Sequence, residues 1–439
     1  MKLKKVLIAI IISIVMAIQI YGEGESLFYK DEIIKSSQYI TKEKYINANY
    51  AIVKKSEKIN YDKDGKYSSV TDVYIKILDE IGRSQNSRVE YGYDKNYGTA
   101  SLELLEVIDK EGNKRTVDIK ANSKEEISTE GVYSNIYDDS GVDITVQIPE
   151  LYIGEIVHYV ISEKIEKARI EGEFSNFTVA EYTQPILDYR VEIKAPKEKP
   201  LKKSVVLGGK NGAYTLDIKE ESDGNLYSFE VKNVDQLYLE PSMPPYLNVA
   251  MRWLVSTEEN WEEVSKWYYN LCEPKIIINE KIKAKTEELI KDKKSEKEKI
   301  KEIFYFVSRK IRYTGLTNED NRPGLEPHST DYTFDTMTGV CRDKAALITA
   351  MLRSAGMESY MVLMNASRRL DEEVPLTYFN HAISCAVTKS GEIVLMDPTD
   401  ETTNELLPYY LMDKSYLLAK KDGDILRATT IRDRSEEHT

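Results

Sequence analysis

Cysteine and histidine are scarce in this chain. Its 439 residues hold three cysteines, Cys272, Cys341 and Cys385, and four histidines, His158, His328, His381 and His438. No Cys-x-x-Cys pair occurs, which argues against a zinc site built on cysteines. The odd count allows at most one disulfide and leaves a thiol free. No cysteine precedes Cys272, so there is no lipid-attachment cysteine near the N-terminus. Basic charge is also in deficit: 61 Lys and Arg stand against 74 Asp and Glu, a net charge of −13. Nucleic acid is therefore not expected as the main partner, because phosphate binding needs a basic face. No cofactor or metal is expected. Asp62-Lys-Asp64-Gly65 resembles the start of a calcium loop but lacks the downstream glutamate, so it reads as a hairpin turn. There is no internal repeat.

Apolar runs of membrane-spanning length are also missing. Lys2, Lys4 and Lys5 precede an apolar run from Val6 to Ile20. That run has the length of a signal-peptide core and is short for a span, which needs about 20 residues. The reading is a signal peptide over 1–22 and a periplasmic destination. An uncleaved N-terminal membrane anchor is the alternative.

What is present falls into two patterns. Between Lys42 and Val231 apolar residues alternate, as in Val73, Ile75, Ile77 and Val142, Ile144, Val146, Ile148. Period two means strands with one buried face. Asp64-Gly65, Glu111-Gly112, Asn211-Gly212 and Asp223-Gly224 supply hairpin turns. An antiparallel β-sandwich over 23–245 is expected, ending at Pro241-Ser-Met-Pro-Pro245. A helical joining segment over 246–280 and an α+β domain over 281–426 follow. In that second pattern Ser295 and Glu298 make a capping box, and Ile300, Phe304, Val307 and Ile311 form a stripe at helical spacing.

The scarce residues converge there. Ala345, Ile348, Met351, Leu352 and Ala355 predict an amphipathic helix ended by Gly356, with Cys341 at its N-terminus. Unpaired backbone N–H groups and the helix dipole favour an anion at that end, and thiolate is the reactive form of cysteine. Residues 379–387 and 393–397 predict two strands joined at Lys389-Ser390-Gly391. A three-residue loop with Gly391 left-handed pairs Thr388 with Glu392. It sets Ile383 opposite Asp397, with His381 a diagonal neighbour on the same face. A two-residue turn would separate His381 from Asp397 onto opposite faces. Cys341, His381 and Asp397 thus read as nucleophile, base and orienter. Cys272 and Cys385, among apolar neighbours, read as small buried hydrophobes. His158 and His328 read as structural.

At Gly-Val-Cys341-Arg-Asp343-Lys-Ala, Phe379-Asn380-His381 and Asp397-Pro-Thr399 the chain resembles the transglutaminase-like superfamily. More closely it resembles exported bacterial proteins that join an uncharacterised β-rich domain to a transglutaminase-like, papain-like domain. Ile148-Pro-Glu-Leu-Tyr-Ile-Gly154-Glu-Ile-Val and Trp261-Glu-Glu-Val-Ser-Lys-Trp-Tyr-Tyr carry that resemblance. Val340 stands where relatives commonly carry an acid. The resemblance implies attack by Cys341 on an amide carbonyl of a peptide, protein or cell-wall peptide through a thioester. His381 would act as base, Asp397 as orienter and Tyr313 as oxyanion candidate. Hydrolysis and acyl transfer both remain open. The competing expectation is a catalytically silent envelope binding or assembly protein on the same scaffold. Arg434-Ser-Glu-Glu-His-Thr439 resembles translated adapter sequence, so 427–439 is expected to be a non-native or truncated tail.

Overall fold

The computed structural model describes residues 32–132, 135–209, 213–316 and 324–430. The expected signal segment, the turn expected at Asn211-Gly212 and residues 431–439 with His438 lie outside them. Among the described residues no helix is long and apolar enough to cross a membrane.

Alternation in the first half becomes one eight-stranded sheet. Across it the strands run Tyr214–Glu221, Gly224–Val234, Ile186–Pro196, Tyr50–Tyr61, Tyr67–Ile77, Ile156–Ile165, Gly98–Ile108 and Lys114–Thr116. Every pairing is antiparallel except Tyr50–Tyr61 with Ile186–Pro196, which is parallel. Parallel neighbours need a long crossover rather than a hairpin, and no turn motif announces one. Two three-stranded sheets accompany it. Trp253 and Val255 pack on Tyr189, Val191 and Phe229, whereas Val89 and Val146 pack on Val73, Leu105 and Val157.

The joining segment differs from its expectation. Arg252–Ser256 is a strand paired with Ser175–Val179 and Lys203–Leu207, so the β-rich region reclaims the chain beyond Pro245. Helix Trp261–Cys272 follows, started by Asn260, whose side chain accepts the Glu263 N–H at 3.1 Å.

In the second half an antiparallel five-stranded sheet runs Ile393–Met396, His381–Val387, Glu358–Met364, Ser415–Leu418 and Arg427–Ala428. The last strand corrects the boundary expected at 427: Arg427 and Ala428 pair with Tyr416 and Ser415, and Thr429 donates to the Leu411 carbonyl at 2.7 Å. Helix Cys341–Ser354 lies at the centre. It is more buried than an amphipathic helix, with every residue from Asp343 to Leu352 inside. Leu347, Ile348, Met351 and Leu352 pack on Ile300, Ile303, Phe304 and Val307 of helix Glu296–Lys310. On another side Ala345 and Ala346 meet Trp261, Val264 and Tyr268. Each large apolar side chain so buried contributes about 1.5–3 kcal/mol. Gly356, at φ +76°, ends the helix as expected.

The two regions share a dry contact. Leu254 packs with Val374 and Leu376, and buried Arg252 forms a two-bond pair with Asp371. This anchors the segment leading to Phe379 and His381 against the β-rich region.

Candidate active site

Cys341 is the first residue of its helix. Val340, the residue before it, has no side-chain acceptor. Asp343 does the capping from within, taking the Val340 N–H on Oδ2 at 2.9 Å. Its Oδ1 takes the His328 backbone N–H at 2.7 Å and lies 3.1 Å from His328 Nδ1. His328, stacked on Tyr332, thus holds the helix start. Gly339 permits this closeness, since a Cβ there would fall 2.7 Å from Asp343 Cβ.

The hairpin adopts the register that a three-residue loop demands. Thr388 N–H donates to Glu392 O at 3.0 Å, Gly391 is left-handed at φ +82°, and Ser384 pairs with Met396. Continuing that ladder sets Ile383 opposite Asp397 and His381 diagonal to it. His381 Nε2 lies 3.0 Å from Asp397 Oδ2. The fully buried Asp397 is held by further donors: Thr399 N–H at 3.1 Å and Oγ1 at 2.8 Å reach Oδ1, and the Tyr410 hydroxyl reaches Oδ2 at 3.0 Å. With Nε2 engaged, Nδ1 is the nitrogen left for Cys341, whose thiol lies near enough to raise the imidazole.

Electrostatics follow from this order of contacts. Burial pushes the Cys341 thiol up. The His381 hydrogen bond and charge, the Ala382 backbone N–H and Arg342 outweigh it and hold the thiol below its ordinary value of 9.0. Burial pulls His381 down, yet Asp397 and Cys341 raise it to about 10. Asp397 stays below the ordinary carboxylate value despite burial, because His381 and Thr399 bind its charged form. Both shifts run in the direction that favours charge transfer from the thiol to the imidazole. The other cysteines go the opposite way: burial pushes both Cys272 and Cys385 up to about 12. All three are free.

Tyr313 reaches the same place by a different route. Strand Arg312–Tyr313 runs parallel to Thr338–Gly339, pairing Tyr313 with Gly339. Burial, and the nearby Cys341 thiol, raise the phenol's pKa, which keeps the hydroxyl a donor. Beneath it lies fully buried Lys344, whose ammonium donates to Ser308 O at 3.1 Å and Ile311 O at 2.8 Å. Those are carbonyls at the end of helix Glu296–Lys310, and burial pulls the lysine down to about 8. Cys341 is half-buried and borders a cleft of about 950 Å³. One wall comes from Cys341, Arg342 and His381, and the facing wall from Tyr97, Arg169 and Phe177 of the β-rich region. Among the described residues no group of three or more His, Cys, Asp or Glu side chains is arranged to hold a metal.

The family model of the transglutaminase-like superfamily matches residues 283–397, which span Cys341, His381 and Asp397. Residues 283–397 form a transglutaminase-like domain. Residues 63–237 match a domain of unknown function, DUF3857, so the transglutaminase-like domain follows a DUF3857 domain. Among solved structures, a "putative protease" from Parabacteroides distasonis is similar at 13% identity and a TM-score of 0.67, over 87% of this chain and 72% of that one. The likeness extends the fold across both regions. A "putative cysteine protease" from Cytophaga hutchinsonii matches at 13% identity over 52% of this chain and 74% of that one, with a TM-score of 0.23. No curated protein matches the chain. The structure also surrounds Cys341, His381 and Asp397 with residues to which the sequence reading gave no role: Thr399 and Tyr410. Thr399 was within reach of the motif, since a threonine two residues after an aspartate readily bonds back to it. Tyr410 carried no such local signal.

Proposed function

We propose that the protein is a cysteine-dependent amide hydrolase or acyltransferase acting on peptide or protein, exported from the cytoplasm. Cys341 Sγ attacks the amide carbonyl carbon. The negative charge on the carbonyl oxygen is met by the Cys341 backbone N–H at the helix start and by the Tyr313 hydroxyl. Collapse breaks the C–N bond, and His381 gives its proton to the leaving amine. Water or a second amine then attacks the thioester, returning the thiol. Asp397 keeps the imidazole oriented with Nδ1 toward sulfur. The observation that carries this reading is the imidazole of His381, held by Asp397 on Nε2 at 3.0 Å and lining one cleft with the helix-leading Cys341.

Intact-mass analysis after incubation with a pool of peptide amides tests it. A hydroxylamine-labile acyl adduct on Cys341, absent in Cys341→Ala, is expected. If no peptide is consumed and no adduct forms, the enzymatic reading falls. Export is tested by fusing residues 1–22 to a reporter enzyme active only outside the cytoplasm; an inactive reporter refutes it.

A further inference from the structure

The chain is strongly acidic, yet the cleft beside Cys341 is not. Lys167, Arg169, Arg342 and Arg368 line it, against Glu171 and Glu326. Glu326 is already paired with Lys275 at 2.8 Å. Arg368 is buried, and its partner Asp371 is shared with buried Arg252, so this group carries one positive charge in excess. Arg342 follows the nucleophile directly. One of its terminal nitrogens donates to the Gly324 carbonyl, and its Nε is buried without a hydrogen-bond partner among the described residues. Arg169 arrives from the β-rich region. Its guanidinium lies 4.4 Å over the Tyr97 ring, and a Cβ on Gly324 would sit 3.7 Å from its terminal nitrogen and 3.2 Å from the Tyr97 hydroxyl. Gly324 therefore lies between the two arginines, and the Tyr97 phenol feels both cations.

Two guanidinium forks converging at the edge of an acyl-donor cleft match the planar, bidentate geometry of a carboxylate. We infer that Arg169 and Arg342, one from each domain, form a carboxylate-binding subsite, and that the acyl donor is an acidic peptide carrying a side-chain or terminal carboxylate near the amide it presents. The substrate specificity rests on Cys341 being the nucleophile proposed above. It gives the DUF3857 domain a direct part in substrate choice, since Arg169 reads the charge from outside the transglutaminase-like domain. Stacking on Tyr97 holds the Arg169 fork in place and leaves its edge available.

The test alkylates the full-length protein with iodoacetyl-glutamic acid amide and iodoacetyl-glutamine amide, which differ only in charge, and follows Cys341 by peptide mass spectrometry. A rate ratio favouring the glutamate probe is expected, falling about fivefold to tenfold in Arg169→Gln and in Arg342→Gln. Arg169→Lys should restore part of it. A ratio that moves less than about twofold in Arg169→Gln overturns the subsite while leaving the nucleophile intact. If instead both probes label wild-type Cys341 no faster than a model thiol, the nucleophile reading falls, and the ratio still reports on the subsite by itself.

Discussion

Among the described residues, buried His158 and half-buried His381 each have a carboxylate on one ring nitrogen and a second partner on the other side. His158, in the β-rich region, has Nδ1 at 2.7 Å from Glu106 and Nε2 at 2.9 Å from Asp72, and stacks on Tyr74 with ring centroids 3.8 Å apart. His381, in the transglutaminase-like domain, has Asp397 on one nitrogen and Cys341 on the other. Both are raised above the ordinary imidazole value. Carboxylates on both sides of His158 favour the charged ring, because a neutral imidazole keeps one N–H and would leave either buried Glu106 or half-buried Asp72 without its donor. A carboxylate on one side and a thiol on the other gives His381 a partner with which to exchange a proton. The same residue type is a brace in one place and, on the function proposed above, an acid–base partner in the other.

The sharpest way to break this comparison is to remove each imidazole and measure iodoacetamide alkylation of Cys341. His381→Ala is expected to slow labelling at neutral pH by about 100-fold or more, the scale of a lost acid–base partner. His158→Gln should leave that rate unchanged. The pH profile adds the sign: wild-type labelling rises through a thiol pKa below 9.0, and in His381→Ala that limb moves upward. Equal losses in both variants would dissolve the distinction.

Stability should reverse the ranking. His158→Gln is expected to cost about 2–4 kcal/mol in urea unfolding at pH 6, because it leaves Glu106 buried against a weaker partner. The folded pKa of His158 lies above 6.5, so its contribution is fully present below that value. The cost should shrink as pH climbs through the raised value. A cost that grows with pH would contradict the ion-pair account.

Smaller changes refine the His381 side. Asp397→Asn should reduce peptide turnover about 10–100-fold, since an amide neither stabilises imidazolium nor fixes the tautomer. Lowered turnover together with an upward shift of the acidic limb is the expected signature. Tyr410→Phe removes one of the donors to Asp397 and should lower turnover only about threefold. A loss as large as that of Asp397→Asn would mean that Tyr410 contacts substrate rather than steadying the carboxylate.

The comparison also shows what local pattern can carry. Helix-leading Cys341 was legible because an apolar stripe, Gly356 and the residues before the stripe define both helix ends. The meeting of His381 with Asp397 was legible because one turn glycine fixes the hairpin register. Val340 gave no sign of a cap, and the capping role of Asp343 toward His328 needed a loop brought back onto the helix start. The Arg252–Ser256 strand was hidden by prolines just upstream, and the parallel neighbours in the large sheet carry no turn signal between them.

By itself, then, the sequence determined the elements, their buried faces and which thiol sits at a helix start, because spacing of 2 or 3.6 residues, caps and turn glycines act over a few residues. It also set the His381–Asp397 diagonal, which a single hairpin encodes. Only the tertiary structure decided that Tyr313 would come near Cys341, that Tyr410 and Thr399 would hold Asp397, and that Arg169 and Arg342 would meet about Gly324 beside the cleft. Those contacts join residues far apart in the chain, and their geometry is fixed by how sheets and helices pack rather than by any pattern along the chain.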